Sequence, residues 1–571
     1  MPKYTMSPIA SKPGIQRDGT PYHADAHIAG QWVRWYEGVA RKIGGYQQLI
    51  EGNTEPVRNM FSIPLPGNKI RLILGRPSTL SYIDIDADQN LDGSFTVGPE
   101  VNITPAQGFD PNPNNVWDFD IFPQLTQFST VPNTPNGSFL VAQVSPLIND
   151  PNVELQTTVF YGPIPELLEE PLPGPMEALL PIPDPEGGYI QCSGGICCVP
   201  PSVVIYGDNG QLRWCSDGDI TSWPGDNTLL IANVKLVHAF RTYAGDTPNL
   251  LVWSLNSLLK VARVGTKAGD PHSNADFGYS TIEENISILS SDSIVKINQM
   301  FFWPGVDQFY FYNGIVQKLQ NTMNNTYFFN NINKSLSEKV YAVAVPQYKE
   351  IWWFFPYNIL NEDGTTTIAT ENNAVIIHNI ESTCWYDSLV NRSGGIQASI
   401  FQYPIFSDSQ PNINGNYPIW IHEIGVDQVI NYGENDPRNS ISPISSFYQS
   451  HWIDMWSNNP SNSNYLKVRR VAPDFAQDLP NQNGVMSLRV LTKEYAGDVA
   501  TVSDPYYFNS NNKPSPPNPV DPNEFGALST THVDLQLQGA LVSFIFESNV
   551  IGGNYQAGKV LFFYEAGDTF R

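Results

Sequence analysis

The chain has 571 residues, of which 41% are hydrophobic and 12% aromatic, and its formal net charge is −25. That hydrophobic content excludes a disordered chain, and so acidic a balance excludes a protein that grips nucleic acid by neutralising phosphates. The 43 glycines and 47 prolines exclude an architecture built from long helices.

From the amino end, Gln31–Gly38 alternates as a strand does, and Arg41–Tyr46 turns into another. Strand-turn-strand units follow: Arg71–Leu74 with Leu80–Ile83, Ser138–Val144 with Val159–Tyr161, Ser202–Tyr206 with Gln211–Trp214, and Leu250–Trp253 with Ser257–Ala262. Gln299–Leu319 is the clearest of them. Its aromatic runs flank Pro304-Gly305, and a third apolar run follows Asn313-Gly314, a pair that favours a type I′ turn. It reads as a three-stranded meander. Glu350–Phe355 with Ala374–Ile380 and Tyr417–Ile421 with Gln428–Tyr432 complete the series. About seven such units at ~50-residue spacing point to a β-propeller.

Proline- and asparagine-rich stretches at 99–137, 145–190 and 504–525 read as surface loops or an inserted lobe. From about Ser445, Tyr465–Val471, Gly484–Leu491 and Thr531–Glu547 alternate with period two, as in a β-sandwich. The expected fold is therefore all-β: an irregular propeller of about six to seven blades with inserted loops and a C-terminal β-rich part. The divisions are 1–50 (strand-rich docking segment), 51–98 (first propeller segment), 99–190 (insertion or lobe), 191–444 (main blades) and 445–571 (C-terminal β-rich domain).

Five cysteines, Cys192, Cys197, Cys198, Cys215 and Cys384, are odd in number and irregular in spacing. Free thiols in a reducing cytoplasm are expected, and the first three read as small buried residues rather than a metal site. The opening Met1–Met6 lacks an apolar signal core, and no run of about 18 apolar residues suggests a membrane span.

Four local patterns touch on chemistry. Asp84, Asp86, Asp88 and Asp92 alternate like calcium ligands, but Gln89 and Phe95 stand where an EF-hand loop needs Gly and Glu, so a solvated turn is expected. Gly553–Lys559 approaches a phosphate loop, with Val560 in place of the required Ser or Thr. His23 and His27 stand four apart, but Gly19, Pro21 and Gly30 argue against a helix that would align them. Asp217–Trp223 is loosely similar to the Asp-box turn of sialidase propellers, in a different order. The sequence contains no His-Glu-x-x-His and no Gly-x-Ser-x-Gly. The expectation is no enzyme, with no catalytic, cofactor-binding or metal-ligating residue.

Several segments together resemble the tail nozzle, or tail tubular, proteins of short-tailed bacteriophages. They are Lys12–Thr20, Gln31–Trp35 and Arg41–Gly45; Leu212–Asp217 with Trp223, where Cys215 interrupts the usual Trp-Ser-Asp; Gln299–Leu319; Val468–Phe475; Leu488–Asp498; and Phe544–Asn549. Their order along the chain matches the family's, whereas 99–190 has no counterpart in it. The resemblance implies a structural virion protein, assembled in the host cytoplasm and carried in the phage tail. Its copies form a ring, commonly a hexamer, below the portal and adaptor. The ring retains genomic double-stranded DNA and conducts it during ejection, and fibres or spikes attach to its sides. Trp32, Arg34, Trp35, Arg41 and Lys42 are candidates for contact with a neighbouring subunit or the adaptor, because aromatic residues and Arg are favoured at interface centres. Otherwise the tryptophans fill the core and the basic residues face water. The alternative function is a propeller that binds or degrades host glycans; a carbohydrate-binding module of a cellular protein is a third possibility.

Overall fold

The computed structural model describes residues 4–90, 93–106, 111–113, 115–123, 138–146, 159–165, 170–179, 194–231, 234–244, 247–266, 275–361, 363–398, 401–431, 436–455, 464–476, 485–508 and 531–569. They are mostly β, arranged in many antiparallel sheets. Among them, no helix is long and apolar enough to cross a membrane.

Seven sheets follow one another along the chain. In the first six, each strand pairs with the strand before it, apart from small additions. Sheet I holds Asn59–Leu65, Lys69–Gly75, Leu80–Gln89 and Phe95–Val97. Sheet II holds Asn115–Pro123, Ser138–Pro146, Val159–Ile164 and Glu177–Ala178. Sheet III runs from Gly195–Val199 to Thr228–Leu230, and sheet IV from Leu236–Ala244 to Ala275–Glu284. Sheet V contains the aromatic meander: Val295–Ile297, Met300–Pro304, Phe309–Tyr312 and Val316–Leu319. Sheet VI holds Tyr341–Val345, Glu350–Phe355, Ala374–Asn379 and Trp385–Leu389.

Sheet VII breaks the sequential rule. Gly394–Ile396, Ile405–Ser407 and Tyr417–His422 are followed in space by Tyr46–Asn53 from the amino end. Asp427–Ile430 then pairs parallel to that inserted strand. The first strands of sheets I, II, III and IV neighbour one another in order. The short turn Ser291–Ser293 continues the series from sheet IV into sheet V, which neighbours VI, then VII, and VII neighbours I.

Stacking of sheet on sheet explains the strand sequences. Where both faces are covered, a strand reads as a continuous apolar run rather than an alternating one. Ile351–Phe355 is such a run, and all five side chains are buried. Each fully buried side chain of this size contributes about 1.5–3 kcal/mol relative to exposure.

The stretch 99–190 supplies sheet II: Asn115–Pro123, Ser138–Pro146 and Val159–Ile164 pair in register from Asn115↔Pro146 onward. The latter two contain strands read from the sequence, whereas Asn115–Pro123 went unread among proline- and asparagine-rich neighbours. One finding corrects the sequence reading. The Asn313-Gly314 turn is not type I′. Tyr312 pairs with Val316, which leaves three loop residues, and only Gly314 among them has positive φ, at 112°. Two-residue hairpins with two left-handed positions lie elsewhere: Ile297 pairs with Met300 across Asn298 (φ 48°) and Gln299 (φ 67°), and Tyr36 pairs with Val39 across Glu37 (φ 52°) and Gly38 (φ 77°).

The first 42 residues do not stand apart from the carboxyl end. Thr5–Pro8 pairs with Leu561–Thr569, and Ala29–Gln31 pairs with Ser446–Gln449. Val39–Lys42 pairs with Gln556–Ala557. One hydrophobic cluster joins Ile15, Trp32 and Trp35 to Trp352 and Tyr386 of sheet VI, and to Val468, Phe475 and Phe544 of the C-terminal sheets.

Candidate functional site

Two places concentrate polar chemistry inside the molecule. The first is a cavity of about 370 Å³ where first strands converge. Its walls take Asn59 from sheet I and Arg58 just before it, Asp118 and Asp120 from sheet II, and Cys197 from sheet III. His238 and Arg241 come from sheet IV, and Asp292 comes from the turn before sheet V. A smaller cavity of about 110 Å³ shares Asp118, His238 and Asp292 with it.

Alternation within Asn115–Pro123 puts Asp118 and Asp120 on one face. Asp118 Oδ2 accepts the Ile196 amide at 2.9 Å, and Asp120 Oδ2 accepts the Cys198 amide at 2.7 Å. Burial pushes the Asp118 carboxyl up to about 7; the Ile196 amide opposes the shift and the Asp292 charge adds to it. Burial also raises Asp292 to about 7. Asp120 is raised by burial, against the Cys198 amide and the Arg241 charge. His238 is lowered to about 4 by burial. Near neutral pH the cavity thus holds two carboxyl groups close to their midpoints and a neutral imidazole. Groups in these states both donate and accept hydrogen bonds, and they exchange protons at little cost. Asp118 and Asp120 were not anticipated because 99–137 was read as loop, and His238 and Asp292 carry no local motif. The visible signal was the alternation of acids and aromatics in Trp117-Asp118-Phe119-Asp120.

The second place is a joint around Arg34. Its Nε and Nη2 donate to the two oxygens of Glu350 at 2.9 and 3.0 Å. Its Nη1 and Nη2 donate to Glu423 at 2.8 and 2.7 Å. The Tyr348 ring lies 3.5 Å from the guanidinium carbon. Glu350 also accepts the Tyr386 hydroxyl at 2.5 Å and the Trp352 indole N–H at 2.8 Å. Burial works against the Arg34 charge, but Glu350 and Glu423 outweigh it and hold its pKa well above the ordinary value. Burial raises Glu350, and Arg34 opposes that shift.

The structure brings the five sequence-predicted contact residues together, and their contacts lie within the chain. Trp32, Arg34, Trp35 and Lys42 are buried. Trp32 donates its backbone N–H to Ser388 Oγ and its indole N–H to the Gly44 carbonyl. Trp35 packs on Tyr386 and His27. Lys42 Nζ donates to the Gly553 carbonyl at 2.8 Å, and burial lowers its pKa to about 8. Arg41 is half-buried and lies over Tyr36. The reading in which the basic residues face water therefore fails for Arg34 and Lys42.

The four local patterns resolve into structural roles. Asp84, Asp86 and Asp88 sit on the strand Leu80–Gln89, and Arg71 engages both oxygens of Asp84; Asp92 lies outside the described residues. The Gly558 amide donates to the Asp474 backbone carbonyl at 2.6 Å and the Lys559 amide to the Asp474 carboxylate at 3.3 Å, so both amides are taken up within the chain. His23 is exposed, while His27 is buried with Nδ1 2.9 Å from the Lys12 carbonyl. Asp217 pairs with Arg263, and Asp219 accepts from Thr221, so the Asp-box-like turn satisfies itself. Cys197, Cys198, Cys215 and Cys384 are free and buried, and Cys192 lies outside the described residues. Among the described residues, no group of three or more His, Cys, Asp or Glu is placed to hold a metal ion.

No protein-family model matches the chain. No curated protein matches it either. A chain from a solved structure of the ctPRC2 complex aligns over 67% of this chain and 98% of its own length, at 8% identity and a TM-score of 0.26, too low to carry an argument.

Proposed function

We propose that the chain is a structural wall protein of a short bacteriophage tail, built as a seven-bladed β-propeller joined to a C-terminal β-sandwich. Copies assemble as a ring beneath the portal and adaptor, retain the genomic DNA and conduct it at ejection, with fibres or spikes at the sides. The propeller reading rests on seven sheets whose first strands, with the turn Ser291–Ser293 between sheets IV and V, follow one another around to the start, and on Tyr46–Asn53 from the amino end inserted into the last sheet. Tying the first blade to the last in this way resists opening.

One observation carries the functional reading. The segments that resemble tail nozzles are far apart in sequence, yet Ile15, Trp32, Trp35, Ile43, Val468, Phe475, Leu488 and Phe544 from those segments meet in one core. A protein whose two ends are locked together and onto its sheets suits a wall under internal pressure. A net charge of −25 repels phosphate, so DNA passes such a wall without adhering. Purified full-length chain imaged in negative stain is expected to form rings of one symmetry and to leave polysaccharide intact. Monomers that degrade host capsule would overturn the proposal.

The acid-lined cavity is the observation that favours the alternative, a glycan-binding or glycan-degrading propeller: glycoside hydrolysis needs a carboxyl group kept protonated near neutral pH, and burial raises Asp118, Asp120 and Asp292 here. Polysaccharide turnover that disappears in Asp118→Asn would establish that reading instead.

A further inference from the structure

A third cavity, of about 430 Å³, opens between the outer strands of sheets V and VI and belongs to neither place described above. Its walls are apolar and aromatic: Phe302 and Phe311 stack on one side, and Trp385 stands on the other. Met300 and Met323 add unbranched, adaptable side chains. Gln320, Thr322 and Thr383 are exposed at its mouth.

One polar ring lies deep in this wall. His378 ends the apolar run Ala374–Ile377 and is only 3% exposed. It stacks on Trp385, with ring centroids 4.3 Å apart. Its Nδ1 is buried without a hydrogen-bond partner. Buried polar atoms are ordinarily satisfied, because an unpaired one keeps its full desolvation cost. Burial lowers the imidazole pKa to about 4, opposed by a hydrogen bond with the Cys384 backbone, so the ring is neutral under physiological conditions and its unpaired nitrogen can accept a hydrogen bond.

We propose that this cavity is a binding site for a small planar aromatic molecule bearing one O–H or N–H donor, with the ring between Phe302 and Trp385 and the donor on His378 Nδ1. The volume accommodates one or two fused rings. Aromatic walls favour an aromatic guest through offset or edge contacts. The buried nitrogen selects a guest with a donor over one without, since only the former satisfies it.

The test titrates the full-length chain with phenol, indole and toluene, followed by calorimetry and by ligand-observed NMR. Phenol and indole are expected to bind one per chain, about tenfold more tightly than toluene, which corresponds to one net hydrogen bond. His378→Phe is expected to bring phenol down to the toluene level. Met300→Trp, which fills the cavity and keeps the His378 side chain, is expected to abolish binding of all three and covers the case in which His378→Phe fails to fold. Equal affinity for phenol and toluene in the unaltered chain would overturn the proposal. So would binding that persists in Met300→Trp, or no binding of phenol or indole at millimolar concentration.

Discussion

The Arg34 joint and the acid-lined cavity both take ionisable groups away from water, and they treat the charge in opposite ways. At the joint, two carboxylates share one guanidinium, and an indole and two tyrosines surround them. In the cavity, Asp118 and Asp292 are raised by burial, and among the described residues no ion pair reaches either. Groups hydrogen-bonded on several sides are held in one geometry, as a mechanical joint requires. Charge held near its midpoint changes state with small changes in surroundings, which suits a site that responds. The comparison therefore separates a part of the molecule that holds from a part that can adjust.

Removing one partner of the joint has the largest expected effect. Arg34→Met leaves Glu350 and Glu423 buried side by side and should cost about 3–5 kcal/mol in urea denaturation. Adding Glu350→Gln and Glu423→Gln should recover more than half of that loss, because the penalty lies in the stranded charges. A loss below about 1 kcal/mol for the single variant would erase the distinction between the two regions.

The cavity should behave in the opposite sense. Between an unfolded carboxyl near 3.8 and a folded one near 7, the folded chain binds more protons at Asp118. Stability from this group therefore falls as pH rises through that window and stays lost above it. Asp118→Asn removes the loss, so the variant should be about 1–2 kcal/mol more stable than the unaltered chain at pH 8 and equal to it near pH 4. Denaturation midpoints at the two pH values measure this directly, and a variant equally stable or weaker at pH 8 would mean the cavity charge is compensated.

A smaller effect tests the path of the amino-terminal segment. Asp18 accepts the amides of Thr326 and Tyr327 at 2.7 and 2.8 Å, and so caps the helix Asn325–Asn331 from a distant part of the chain. Asp18→Ala should cost about 1 kcal/mol, and hydrogen exchange should show faster opening of that helix alone.

What could be read from the sequence was what is local. The Gln299–Leu319 meander was visible because its aromatic runs and Pro304-Gly305 lie side by side. Its second turn was misjudged because Asn-Gly also occurs in three-residue loops, and only the register Tyr312↔Val316 tells them apart. The placement of Tyr46–Asn53 beside Tyr417–His422 was not legible, since an alternating strand carries no label for a partner hundreds of residues away. Arg34 shows the same limit. Trp-Val-Arg-Trp marks a half-buried strand, but nothing local names Glu350 and Glu423 as the acids that meet it. Asp118 was hidden differently, by turn-forming neighbours that outweighed four alternating residues.

The proposed place of the protein in a phage tail is tested most directly by imaging purified virions with a gold-labelled antibody against this chain. Label at the tail, below the portal vertex, is the expected result. Purified virions that carry no label, with the chain recovered only as a free protein, would contradict it.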